Sequence, residues 1–159
     1  MRIRRHERHQ DFYIAIALAA AVGKPDAYAG ELPVAYVMLK AGATVTEQDL
    51  LDYAQQTVKE RAAIPKSMVI LDQMPLTTVG KIFKPPLRSD AVRRVYTEVL
   101  FAVLPADLSW EVQVEPNQLY GMLATLILAD VTEDQRAHVH EQIAQALGAY
   151  VVKYQIQWN

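Results

Sequence analysis

Between Leu32 and Leu39 the chain is apolar on both sides of an extended segment: Val34, Tyr36 and Met38 alternate with Ala35, Val37 and Leu39. A strand with two apolar faces must be covered on both, which places it at the centre of a sheet and calls for at least one covering layer. With 52% apolar and 21% charged residues, the 159-residue chain has enough apolar material for that core. Its length fits one modest domain or two small ones. Sixteen basic and eighteen acidic side chains give a formal charge of −2, so no global cationic surface points to nucleic acid. The lack of cysteine excludes disulfides, thiolate zinc sites and a cysteine nucleophile, and it agrees with a reducing, cytoplasmic location.

Around this strand the chain reads as short elements separated by breakers. Residues 1–13 form a basic tail, MRIRRHERHQ at its start, and the apolar run Phe12 to Val22 follows. A secretory signal with a cleavage site at Ala27-Tyr28-Ala29 is one reading of that run. Glu7, Asp11, Lys24 and Asp26 oppose it, and a buried strand closed by a Gly23-Lys24-Pro25-Asp26 loop fits better. The run is too short for a membrane span, which needs about 20 apolar residues. Lys40 to Ala43 reads as a turn. Thr44 or Thr46 can then cap a helix whose stripe is Leu50, Ala54, Val58 and Ala62, with Pro65 as its stop. Met68 to Leu71 reads as a short strand.

Asp72 to Arg88 is rich in proline and threonine and predicts a structured loop or short hairpin. A second helix is expected from Ser89 to about Leu104, with Ala91, Val95, Val99 and Ala102 or Val103 inward and Arg93 and Arg94 outward. Beyond a boundary at Pro105-Ala106-Asp107, residues 105–159 predict a ββαβ unit. Its strands are Trp110 to Val114 and Leu119 to Leu128, joined through Glu115-Pro116-Asn117. The helix is capped by Thr132 and Gln135, carries Val139, Ile143 and Leu147, and stops at Gly148; Tyr150 to Trp158 is the last strand.

Few groups are arranged for chemistry. His6 and His9 have no third ligand nearby, and His138 and His140, two apart, point to different sides of a helix, so no metal site is expected. Walker, dinucleotide and nucleophile-elbow motifs are absent. Lys81 remains. Gly80 beside it permits a close or sharply turned backbone, Thr77 and Thr78 offer hydroxyls, and a lysine at a loop tip is a mobile point charge suited to a phosphate. From these residues alone, a solvated lysine in a hairpin turn remains the commoner explanation.

The stretch Pro75-Leu76-Thr77-Thr78-Val79-Gly80-Lys81-Ile82-Phe83-Lys84, followed by Leu87-Arg88, resembles the C-terminal lysine motif of the AMP-forming acyl- and aryl-CoA synthetases, which are adenylate-forming ligases. Ala19 to Asp26, Gly30 to Val37 and Ile64-Pro65 resemble the same family in the same order. The resemblance covers about residues 14–104. It implies an α+β lid domain with a central three-stranded sheet, flanking helices and a lysine-bearing hairpin, to which the ββαβ extension is appended.

It further implies that Lys81 is the catalytic lysine of acyl-adenylate formation, with Gly80, Thr77 and Thr78 around the nucleotide. ATP and coenzyme A would be substrates of the complete enzyme, and Mg2+ would be held by the large domain. Gly30-Glu31 and the loop before it match a region of the lid's second face, shown to coenzyme A. The implied partners are a large adenylating domain, in cis or in trans, and a small-molecule carboxylate; this stretch alone is expected to be inactive. The alternative is a non-catalytic remnant whose ββαβ segment serves binding or homo-oligomer formation.

Overall fold

The computed structural model describes residues 15–159; the basic tail with His6 and His9, and the start of the apolar run, lie outside the described residues. In chain order the elements are β1 (Ile16–Asp26), β2 (Gly30–Leu39), α1 (Glu47–Thr57), a 3-10 turn (Arg61–Ala63), β3 (Ser67–Ile70), α2 (Lys84–Val103), β4 (Ser109–Asn117), β5 (Gly121–Ala129), α3 (Glu133–Leu147) and β6 (Lys153–Trp158). They make the α+β architecture expected from sequence, with two three-stranded sheets ordered β1-β2-β3 and β4-β5-β6. By packing, the described residues divide into one unit of 15–23 with 32–87 and a second of 24–31 with 88–159.

In the first unit β2 is central, as its two apolar faces require, and Val34, Ala35, Tyr36 and Val37 are all buried. β3 pairs with it in parallel, from Val34 opposite Ser67 to Val37 opposite Ile70. β1 runs further than expected: Gly23 to Asp26 are strand, and the turn is Ala27-Tyr28-Ala29. The turn is made by a side chain, since Asp26 Oδ1 accepts from the amides of Tyr28 (3.0 Å) and Ala29 (2.7 Å). Those two bonds hold the Asp26 carboxyl below the usual carboxylate range.

Helix α1 starts at the expected cap. Asp49 N donates to the Thr46 hydroxyl at 3.1 Å while Asp49 Oδ2 accepts from Thr46 N at 3.0 Å. Leu50 and Ala54 are its buried face. It ends at Thr57, well short of Pro65, and Ala62 is exposed. The Thr57 hydroxyl donates back to the Tyr53 carbonyl at 2.8 Å, a bond that competes with continuation of the helix.

Helix α2 begins at Lys84, earlier than Ser89. Pro85 and Pro86 occupy its first turn, where amide hydrogens have no intrahelical partner, so two prolines cost nothing there. Its inward face is also displaced by one residue: Ala91 is buried, but the main stripe is Val92, Tyr96, Leu100 and Leu104. Val95 and Val99 are only partly buried and Ala102 and Val103 are exposed. Arg93 and Arg94 do point outward, and both reach Asp90, at 2.5 and 2.6 Å.

That stripe joins the core of the second unit with Val112, Ala124, Leu126, Leu128, Val139, Ile143 and Leu147. β4 and β5 pair antiparallel, and the connection is Gln118-Leu119-Tyr120 rather than Glu115-Pro116-Asn117. Here too a side chain makes the turn, since Asn117 Oδ1 accepts from Leu119 N and Tyr120 N, and Gly121 follows at φ +75°. Pro116 can sit in β4 because this is an edge strand.

Helix α3 has the expected Thr132–Gln135 capping box and buried stripe. Gly148 closes the helix as expected. Gly148 keeps a helical φ of −60°, and a Cβ there would lie 2.7 Å from the Ala144 carbonyl oxygen. The last strand starts at Lys153, not Tyr150, and runs parallel to β5. Tyr150 instead sets its ring edge-on to Tyr96, with centroids 5.6 Å apart, and the Tyr96 hydroxyl donates to the Val152 carbonyl at 2.5 Å.

Candidate functional site

The segment from Met74 to Phe83 folds as a short hairpin rooted by a buried Met74. Leu76 and Ile82 form an antiparallel bridge. Phe83 N donates to the Pro75 carbonyl at 2.8 Å, and Thr77 N to the Lys81 carbonyl at 2.7 Å. Thr78, Val79 and Gly80 are then a three-residue loop, closed by Gly80 N donating to the Thr77 carbonyl at 2.9 Å. Such a loop needs a left-handed residue in its last position. Gly80 supplies it at φ +78°, with open space where a Cβ would be, so backbone conformation and not crowding requires glycine.

Thr77 and Thr78 therefore differ in kind. The Thr77 hydroxyl accepts from Lys81 N at 3.1 Å, and this bond fixes where the lysine leaves the backbone. Thr78 is exposed on the loop. Lys81 is exposed as well, and among the described residues no acidic group forms an ion pair with it. Exposed Leu76, Val79 and Phe83 give the loop an apolar collar. Lys84, the other cation of the motif, is the first residue of α2. The hairpin thus presents one ammonium group from a backbone fixed by several hydrogen bonds, an arrangement able to offset negative charge on a phosphate or carboxylate oxygen.

Elsewhere, His138 and His140 are exposed, and no group of three or more His, Asp or Glu side chains among the described residues could hold a metal. The tip carrying Gly30 (φ +79°) and Glu31 exposes Tyr28 completely. Sequence reasoning missed a cavity of about 280 Å3 in the second unit, bordered by Asp107, Asp130, Asp134 and His138 over Leu108 and Val139. Its acidic residues come from three separate segments, and no local motif links them. No helix among the described residues is long and apolar enough to cross a membrane.

Residues 14–81 match the family model of the AMP-binding enzyme C-terminal domain. This part of the chain belongs to that family, the C-terminal domain of AMP-forming acyl-CoA ligases. Marinolic acid–CoA ligase of a Pseudoalteromonas strain is 39% identical over 144 residues, which is 91% of this chain and 21% of that protein. Acetyl-coenzyme A synthetase of Pyrobaculum arsenaticum is 38% identical over 80 residues, 48% of this chain and 12% of that protein. Among solved structures, an acyl-CoA synthetase of Brucella canis is similar at 26% identity and a TM-score of 0.47, covering 60% of this chain and 18% of the other.

The chain thus spans about a fifth or less of the length of these relatives. Coverage of 91% leaves room for few unmatched residues, so the likeness to the marinolic acid ligase takes in α2, the β4–β5 hairpin and most of α3. Most of the segment after Pro105 therefore lies within the likeness to that ligase.

Proposed function

We propose that this chain acts as the C-terminal lid of an AMP-forming acyl-CoA ligase and that Lys81 is its adenylation lysine. In the reaction a carboxylate oxygen of the substrate attacks the α-phosphorus of ATP and pyrophosphate leaves. The coenzyme A thiol then attacks the acyl carbonyl, and AMP leaves with the bonding electrons. The first step brings two anions together, and an ammonium group held beside their oxygens lowers that repulsion most where charge is concentrated in the transition state. The supporting observation is the hairpin: a loop of the family's C-terminal domain that projects Lys81 with its backbone fixed by Thr77 and Gly80.

Thr77 serves as a positioning residue in this reading, while Thr78 and the Gly80 backbone border the nucleotide. The acyl pocket and the nucleotide-binding walls belong to the large domain, joined to this one or supplied separately, so the isolated stretch forms no thioester. Magnesium would be held by the large domain, since no group of three or more acidic or histidine side chains among the described residues could hold a metal. A cysteine-free chain is suited to the reducing cytoplasm.

The test joins or mixes the chain with a large adenylating domain and measures the two half-reactions separately. Lys81→Ala should lower acyl-adenylate formation by about 10² to 10³-fold, the usual loss for one preorganised electrostatic group. Thioester formation from presynthesised acyl-adenylate should be nearly unchanged. Lys81→Arg should restore only part of the first activity, because the planar guanidinium is not a point charge. Equal losses in both halves would indicate a docking defect, and an undiminished first half would make Lys81 an ordinary solvated lysine.

A further inference from the structure

The sheet of the second unit is covered on one face only. Even-numbered residues of β4, β5 and β6, such as Val112, Leu126 and Ile156, belong to the core formed with α2 and α3. The odd-numbered residues form the opposite face. Glu111, Gln113 and Glu115 of β4 and Lys153, Gln155 and Gln157 of β6 are exposed there, and Leu123, Thr125 and Ile127 of β5 are partly exposed between them.

The strand registers arrange these residues in rows. Glu115 pairs with Leu123, and Leu123 with Lys153; Gln113 pairs with Thr125, and Thr125 with Gln155; Glu111 pairs with Ile127, and Ile127 with Gln157. Each row is thus polar at both ends and led by β5 at the centre. The first row reads acid, apolar, base. Within one copy its charged ends stand on the two outer strands, two strand spacings apart, about 9.6 Å between backbones, and they form no ion pair with each other. Neither Glu115 nor Lys153 has an ionic partner among the described residues.

We infer that this face pairs with the same face of a second copy of the chain, about a two-fold axis parallel to β5. That axis sets β4 of one copy over β6 of the other and keeps every row at its own height. Glu115 then faces the second copy's Lys153, twice by symmetry. Leu123 and Ile127 meet their own counterparts, and Gln113 meets Gln155. The alternative two-fold axis, perpendicular to the strands, would set Glu-bearing β4 over itself and is disfavoured by like charge. Two sheets stacked in this way lie about 10 Å apart, and a glutamate and a lysine that extend toward each other across the gap can span that distance.

Three strands over seven residues project roughly 350 Å2, below the about 800 Å2 per partner of a stable complex. The dimer is accordingly a weak one, with a dissociation constant of about 10 µM to 1 mM. It is independent of the role of Lys81.

The test is sedimentation of the 159-residue chain across that range, with charge exchange on the exposed face. Wild type should pass from monomer to dimer, and added salt should weaken the pairing. Glu115→Lys alone and Lys153→Glu alone each turn both contacts repulsive and should raise the dissociation constant at least about ten-fold. The double exchange should restore it. An equimolar mixture of the two single variants should form a heterodimer, since each then offers what the other lacks. Unchanged circular dichroism would show that the variants are folded. A monomer throughout, or dimerisation indifferent to the exchanges, would overturn the proposal; so would exchanges that alter only binding to a large adenylating domain.

Discussion

Removing a single hydroxyl, by Tyr96→Phe, tests the account of the second unit's core. Tyr96 is fully buried at the middle of the α2 stripe, and its hydroxyl donates to the Val152 carbonyl in the segment between α3 and β6. Phenylalanine keeps the ring, the apolar contacts and the edge-on packing with Tyr150, so the change isolates the hydrogen bond. Removing the donor of this partly buried carbonyl costs about 0.5–1.5 kcal/mol, the usual net worth of such a bond. The same variant should alter the alkaline limb of stability. Burial, reinforced by Tyr150 and Tyr154, pushes the Tyr96 pKa well above its ordinary value of 10.0.

In the unfolded chain the phenol loses its proton near that ordinary value, while in the folded chain it keeps it. The unfolded state then binds fewer protons, so the contribution is complete below about pH 10 and falls by up to about 1.4 kcal/mol per pH unit above it. Tyr150, also raised by burial, adds to this slope and remains in the variant. Urea unfolding followed by tryptophan fluorescence is a suitable assay, because Trp110 and Trp158 both pack against this core. Tyr96→Phe should lower the midpoint at pH 8 and make the decline between pH 10 and 11 shallower. A midpoint unchanged at pH 8, together with an alkaline slope as steep as wild type, would refute the assigned hydrogen bond and burial.

Ile143→Ala, at a fully buried site on α3, should destabilise the second unit by about 2–5 kcal/mol in the same assay. Gly148→Ala should lower the melting temperature: helix propensity alone would favour alanine, but its Cβ would meet the Ala144 carbonyl oxygen at 2.7 Å. Thr46→Ala breaks the capping box of α1 and should cost about 1 kcal/mol, read as faster hydrogen exchange at the Asp49 amide.

What could be read from the sequence was mostly what a few neighbouring residues determine. Thr46 with Asp49 and Thr132 with Gln135 located two helix starts, and alternation located β2 and β6, because capping and pleating are local. The lysine hairpin was recognisable because its proline, threonines and glycine are themselves the turn. Turn positions were misplaced where a side chain does the turning: Asp26 and Asn117 move the bends past Pro25 and Pro116, which drew attention as breakers. The inward face of α2 was misjudged because Val92, Tyr96 and Leu100 compete with Ala91, Val95 and Val99 at the same spacing. Only the sheet they pack against decides between them. The Glu115–Leu123–Lys153 row was hidden for a similar reason, as its members meet only through strand register.

The shared core of α2 and the extension bears on how such ligases can be recombined. The chain's most prominent breaker, Pro105, looks like a natural joint, yet a crossover placed there would keep Val92, Tyr96, Leu100 and Leu104 with one parent and their packing partners with the other. A junction between the lysine hairpin and α2, near Phe83-Lys84, transfers that helix together with the sheet it covers. Even this cut leaves residues 24–31 behind, since that tip of the β1–β2 hairpin belongs to the second unit although it is encoded far upstream. The extension is therefore inherited as a unit with α2 and, in part, with the tip of the β1–β2 hairpin. Chimeras that respect those groupings should remain soluble where cuts at Pro105 aggregate.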